Sequence, residues 1–247
     1  MIARTQTTPE REPATLERAL PRLHQDLCRG SELGDRDETR ALRLKLLKRV
    51  LRNPERVAEL FDGLDADLPA IRYGCSSLLR AVSEEKPELL ADHWKQLITR
   101  LSDDSEFLRW DAMAAISNLA GVVNKRRVDS VLDRLLEPIQ GPTLAAAANA
   151  INGAARIAQL QPKCATKVVD GLLQVGKSKF EAPDEKNVAI GQAITALAVA
   201  YESVDDKSKV LRFVRRQREN VRPETQAKAE RFLERHEQMK KAGAKKA

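Results

Sequence analysis

Residues 71–82, IRYGCSSLLRAV, lie over residues 108–119, LRWDAMAAISNL, with arginine at Arg72 and Arg109, a small residue at Cys75 and Ala112, and apolar residues at Leu79 and Ile116. In both stretches the apolar positions recur every three or four residues, the spacing of a helix with one buried face. The frame carries on through Ala154 and Ile157, then Ile194 and Leu197, then Phe232 and Leu233. Measured at the last apolar anchor, the steps Val82, Leu119, Ile157, Leu197 and Leu233 are 37, 38, 40 and 36 residues. A period of that size holds two helices and two turns.

Breakers fall where such a period needs them. Helix pairs are expected at 15–29 with 36–51, 54–63 with 67–83, 87–101 with 104–123, 126–139 with 143–160, 163–177 with 184–202, and 206–219 with 223–240. Pro54, Pro87, Pro142, Pro162, Pro183 and Pro223 stand near expected helix starts, where a missing N–H does no harm. Asp67, Asp103, Asp104 and Asp205 are placed to cap helices through a carboxylate. Aromatics are only 4% of the chain, while Ala and Leu are abundant, which favours helices over strands.

The stretch RLSDDSEFLRWDAMAAISNLAG resembles the second helix of a HEAT repeat: an Asp in the turn, an apolar residue before Arg109, Ala112 for close packing, then Ile116 and Leu119. The resemblance covers about residues 36–240 and implies an all-α fold, an α-solenoid with a right-handed superhelix of about six antiparallel helical hairpins, HEAT-like or armadillo-like. It also implies that the turn Asp and helix Arg hydrogen-bond between successive repeats, roles that fall on Asp103 or Asp104 with Arg109, and on Asp67 with Arg72. The fourth unit departs from the pattern, with Ala147 where the Arg would stand. The domain reading is a disordered segment over 1–14, one repeat domain over 15–240, and a disordered basic tail over 241–247.

One such hairpin leaves its apolar face bare, so neighbours must stack. Stacking sets the second helices side by side on one concave ridge suited to an extended partner. The sequence reading is therefore a non-enzymatic scaffold or adaptor that binds a protein. Its partner-binding candidates are Arg36, Arg40 and Arg43, spaced to share one helix face, with Arg72, Arg109, Asn149 and Asn187.

Charge supports an alternative partner. Residues 207–247 hold 14 Lys or Arg against 5 Asp or Glu, a balance of +9, and the rest holds 29 against 31, so the net +7 comes from that end. Nucleic-acid contacts would fall on Arg215, Arg216, Arg218, Lys240 and Lys241. A second basic group lies in RALRLKLLKRVLR, residues 40–52. The basic residues of the last helix are interleaved with Glu219, Glu224, Glu230, Glu234 and Glu237, as in a solvated helix, and no row of aromatics offers base stacking.

Nothing in the sequence points strongly to catalysis, and no cofactor or metal is expected. His24, His93 and His236 fall in different units, and no P-loop, GxGxxG or GxSxG motif occurs. Some HEAT-like proteins are alkylpurine DNA glycosylases; only Trp110 and Asp111 hint at such a site. Cys28, Cys75 and Cys164 lie far apart without a CxxC pair, giving no basis for a disulfide framework or zinc site. The longest apolar run, Ala189 to Ala200, is too short to span a bilayer, and the first residues lack the apolar core of a secretory leader, so a cytoplasmic chain is expected.

Overall fold

A computed structural model of the chain describes residues 20–244, with all their side chains except those of Pro183 and 237–244. The described residues are all-α: α1 Arg22–Glu32, α2 Arg36–Arg52, α3 Arg56–Gly63, α4 Pro69–Glu85, α5 Trp94–Arg100, α6 Glu106–Leu119, α7 Lys125–Leu136, α8 Leu144–Leu160, α9 Ala165–Leu172, α10 Pro183–Ala200, α11 Lys207–Arg216 and α12 Pro223–Ala244. They form six antiparallel pairs in the expected order, an α-solenoid. Short 3-10 segments open or close the first helices, at Pro87–His93, Glu137–Gln140, Pro162–Cys164, Leu173–Lys177 and Gln217–Glu219. The first helices α5, α7, α9 and α11 are thus shorter as α-helices than expected, because a tight turn completes each of these four.

Prolines open α4, α10 and α12 at the first helical position. The caps differ in detail from expectation. Asp35 accepts the N–H groups of Asp37 and Glu38 at 2.8 and 2.9 Å, and Asn124 and Thr143 cap α7 and α8. Asp206, rather than Asp205, caps α11. Asp103 accepts from the Ser105 N–H at 2.9 Å, one turn ahead of α6. Gly141 before α8 has φ 108°, a conformation open to glycine, and a Cβ there would meet the Lys179 carbonyl oxygen at 2.6 Å.

The contacts divide the chain into two compact units with the border between Leu79 and Arg80, inside α4, whereas the sequence reading treats 15–240 as one domain. In the first unit, Leu23, Leu46, Val50, Leu60, Ile71 and Leu78 are fully buried or nearly so. His24 is a core histidine there, its Nε2 2.9 Å from the Glu59 carbonyl oxygen.

In the second unit the anchors Val82, Leu119, Ile157, Leu197 and Leu233 are all buried, so the sequence period is the period of the core. Polar bonds repeat at the same interval. Along the first helices, Arg134 donates to the Ile98 carbonyl at 3.2 Å, Lys167 to Asp133 at 2.8 Å and Lys209 to Asp170 at 2.8 Å, each reaching back one hairpin. Along the second helices, Asn118 donates to the Ser83 hydroxyl at 3.0 Å and accepts from Arg156 Nε at 2.9 Å. Arg222 pairs with Asp184 at 2.6 Å, and the Thr225 hydroxyl donates to the Asn187 carbonyl at 2.8 Å.

The last helix, expected to stop at 240, runs to Ala244 and takes in the start of the expected tail. Residues 1–19, which include the expected disordered segment, and 245–247 fall outside the described residues.

Candidate binding ridge

The second unit sets α6, α8, α10 and α12 side by side. Each buries the face that carries its anchor, which leaves an opposite stripe facing solvent at helical spacing. Counted back from the anchors, the stripe falls at fixed offsets. Nine residues before stand Trp110, Ala148, Val188 and Glu224; five before stand Ala114, Asn152, Gln192 and Lys228; all are exposed or half-exposed. Twelve before stand Phe107 and Ala145, both exposed, and Glu185, half-exposed.

The chemistry changes along this ridge. On α6 it is aromatic: Phe107 is 63% exposed and meets Trp110 edge-on, ring centroids 5.4 Å apart. On α8 it is small and neutral, Ala145, Ala148 and Asn152, which lets a bound chain approach the helix backbone closely. On α10 it is Val188, Gln192 and Thr195, and the buried Gln192 Oε1 has no hydrogen-bond partner among the described residues. On α12 it turns charged, with Glu224, Lys228 and Arg231.

Of the residues singled out from sequence, Arg109, Asn149 and Asn187 sit beside this stripe rather than on it. Arg72, Arg109 and Asn187 stand ten residues before their anchors, and Asn149 eight. Arg109 donates to the carbonyl oxygens of Asp103 at 2.6 Å and Asp104 at 3.0 Å, and Arg72 to that of Ala66 at 3.3 Å. Both therefore bind the backbone of the turn in their own hairpin. The carboxylate-to-guanidinium bonds between successive repeats implied by the HEAT resemblance are replaced by these local ones, because the turn points its carbonyls at the incoming helix. Asp103 instead pairs with Arg100 at 3.4 Å. Asn149 donates to the Ala145 carbonyl of its own helix at 2.9 Å.

Asn187 and Arg216, assigned from sequence to different partners, come together. They line one cavity of about 580 Å³ with Lys177, Lys186, Phe213 and Asn220. Arg215 and Arg218 are exposed beside it. Lys240 and Lys241 lie on the described backbone of α12, but their side chains are outside the described ones. In the first unit, Arg36, Arg40 and Arg43 are exposed along one face of α2.

Phe107 is the aromatic companion to Trp110 that sequence reasoning missed, and the twelve-residue offset from Leu119 was the signal for it. Asp111 lies 3.6 Å from the Arg80 guanidinium, so its carboxylate is engaged in an ion pair. His236 is buried against Tyr201 and Phe232, with ring centroids 4.0 and 4.4 Å away, and desolvation lowers its pKa. Cys28, Cys75 and Cys164 are buried free thiols; burial and the nearby Glu59 carboxylate push Cys75 up to about 12. Among the described residues no group of His, Cys, Asp and Glu is arranged to hold a metal, and no helix is long and apolar enough to cross a membrane.

No protein-family model matches the sequence, and no curated protein matches it. Solved structures do match. A designed armadillo repeat protein in complex with the peptide (KR)4 aligns with a TM-score of 0.57 at 17% identity, covering 87% of this chain and 98% of that one. The fold is an armadillo/HEAT-like helical repeat. Two engineered proteins align similarly, one with a TM-score of 0.55 at 13% identity over 87% of this chain and 96% of the other, the second with 0.53 at 15% over 85% and 57%. The armadillo/HEAT-like repeat accounts for the stacking of second helices that builds the ridge.

Proposed function

We propose that this chain is a non-enzymatic scaffold that binds an extended segment of a partner protein along the ridge of α6, α8, α10 and α12. The observation that carries the reading is the regular solvent-facing stripe at fixed offsets from the buried anchors, which presents one set of contacts per hairpin to an extended ligand. Its chemistry sets the partner's: an apolar side chain against Phe107 and Trp110, backbone amides against Asn152 and Gln192, and a charged end near Lys228 and Arg231. That a designed armadillo repeat protein of the same fold is in complex with a peptide supports this mode of binding. The buried free thiols suit a cytoplasmic setting. The span 15–240 acts as one repeat domain in this reading; Arg109, Asn149 and Asn187 flank the ridge, and Arg36, Arg40, Arg43 and Arg72 are proposed as partner contacts within the first unit.

The test is affinity capture of tagged full-length chain from its native cells after nuclease treatment, with zero-length cross-linking to map contacts. Phe107→Ala with Trp110→Ala is expected to lose the captured protein while the helical circular dichroism spectrum stays unchanged. Retention of the partner by that variant sinks the ridge reading.

A second reading has its own observation. Arg215, Arg216 and Arg218 are exposed, and Arg216 shares a cavity with Lys177 and Lys186, a set that would hold nucleic-acid phosphates. It predicts that Arg215→Ala with Arg216→Ala flattens the salt dependence of oligonucleotide binding; an unchanged slope removes it.

A further inference from the structure

We infer a second binding site, in the first unit and independent of the ridge reading: an open cleft on α2 and the start of α3 that takes an acidic segment of a partner protein. The cleft has a volume of about 760 Å³ and is lined by Lys45, Lys48, Arg49, Arg52 and Arg56 around Leu44, with no acidic residue in its wall. Leu44 is 50% exposed.

Two of the five cations are neutralised from behind. Arg49 bonds Asp26 at 2.7 Å, and Arg56 pairs with Glu59 at 3.2 Å. Lys45, Lys48 and Arg52 have no ion-pair partner among the described residues. By contrast, Lys125, Lys167, Lys207 and Lys209 in the second unit each meet a carboxylate.

The arrangement works against the helix that carries it. Lys45 and Lys48 are three apart, and Lys48 and Arg52 four apart, so they are neighbours on the helix surface, and like charges at those spacings destabilise it. From Thr39 to Pro54 the sequence contains no acid to relieve them. Cations in the last turn complement the helix dipole, which accounts for Arg49 and Arg52; Lys48 stands just before that turn and Lys45 about two turns before the helix end, where the dipole gives no reason for it. The stripe is also distinct from Arg36, Arg40 and Arg43, which lie roughly two-fifths of a turn round the helix.

A carboxylate-bearing peptide satisfies both halves of the wall. Its acidic side chains meet the unpaired ammonium and guanidinium groups, and an apolar side chain covers Leu44 and Ala41. A phosphate backbone would leave Leu44 in water, and no aromatic residue lines the cleft to stack on a base.

The experiment measures fluorescence anisotropy of a short labelled peptide of glutamates flanking two leucines, added to the full-length chain at low salt. Matched probes are the same peptide with lysines for glutamates and a labelled oligothymidylate. The expected result is saturable binding of the acidic peptide alone, weakened about tenfold or more by Lys45→Ala, Lys48→Ala and Arg52→Ala together, since three exposed charge contacts are lost. The combined variant Arg215→Ala, Arg216→Ala and Arg218→Ala should bind as the parent does. Alanine is a strong helix former and all three cleft positions are exposed, so the fold should survive; Lys48→Gln alone, with a smaller loss, covers the case in which the triple variant misfolds. Equal weakening by the two triple variants would mean diffuse charge rather than a site and overturns the proposal. So does equal binding of the lysine peptide, or preferred binding of oligothymidylate that the cleft substitutions abolish.

Discussion

Replacing Asn118 by alanine tests how successive second helices are tied. Asn118 is 8% exposed and bridges α4 and α8: its amide donates to the Ser83 hydroxyl, and its carbonyl oxygen accepts from Arg156. Losing the neutral bond to Ser83 costs about 1 kcal/mol. The bond from Arg156 is charge-assisted but half-exposed, so water recovers part of it and about 1 kcal/mol remains. The sum, about 2 kcal/mol, corresponds to a fall of roughly 4–8 °C in melting temperature for a unit of this size. Thermal unfolding followed by circular dichroism reads it directly. A double-mutant cycle with Arg156→Ala should give a coupling of about 0.5–1 kcal/mol, because the second substitution costs less once its acceptor is gone. A shift below about 1 °C, or strict additivity with Arg156→Ala, refutes the bridge.

Other outcomes follow from the same packing. Gly63→Ala places a Cβ 2.3 Å from the Cys75 Sγ and 2.9 Å from His24 Nε2, and should destabilise the chain by about 1–3 kcal/mol in urea unfolding; Cys75→Ala in the same chain should recover part of the loss. With its thiol pushed up to about 12, Cys75 should resist alkylation near neutral pH until the chain is unfolded, as peptide mass spectrometry would show. His236 has its pKa lowered from 6.5, first by burial and further by Arg235 and Lys207, with Glu202 opposing. The unfolded chain therefore takes up the proton first. The stability contributed by the neutral ring is complete above 6.5 and lost as the pH falls through the lowered folded value. Glu202 has its own pKa lowered by Lys207, so its contribution is lost only below 4.5. Between about pH 7 and about pH 5 the melting temperature of the parent should fall more than that of His236→Phe, and equal falls would show that the ring does not titrate in this window.

The helix pairs and the period were legible in the sequence because both rest on local signals. Apolar anchors at Val82, Leu119, Ile157, Leu197 and Leu233 must be buried wherever the hairpins stack, and prolines and turn residues stop helices whatever surrounds them. Roles that depend on direction were not legible. Arg72 and Arg109 carry the same charge whether they face a partner or a turn, and only the tertiary structure turned them onto the carbonyls of Ala66, Asp103 and Asp104. Asn118 reads as one more polar residue in a helix until the approach of Ser83 and Arg156, 35 and 38 residues away, makes it a buried bridge. Phe107 is an ordinary apolar residue in the chain and an exposed one on the ridge, because the anchor face of α6 points the other way. The basic run at residues 40–52 was visible as composition, yet which of its cations share a cleft with Arg56, and that Arg49 is already held by Asp26, was settled when α1 packed against α2. Period and burial are properties of a helix that recur along one chain; the pairing of side chains across hairpins depends on distances of a few ångströms that only stacking sets.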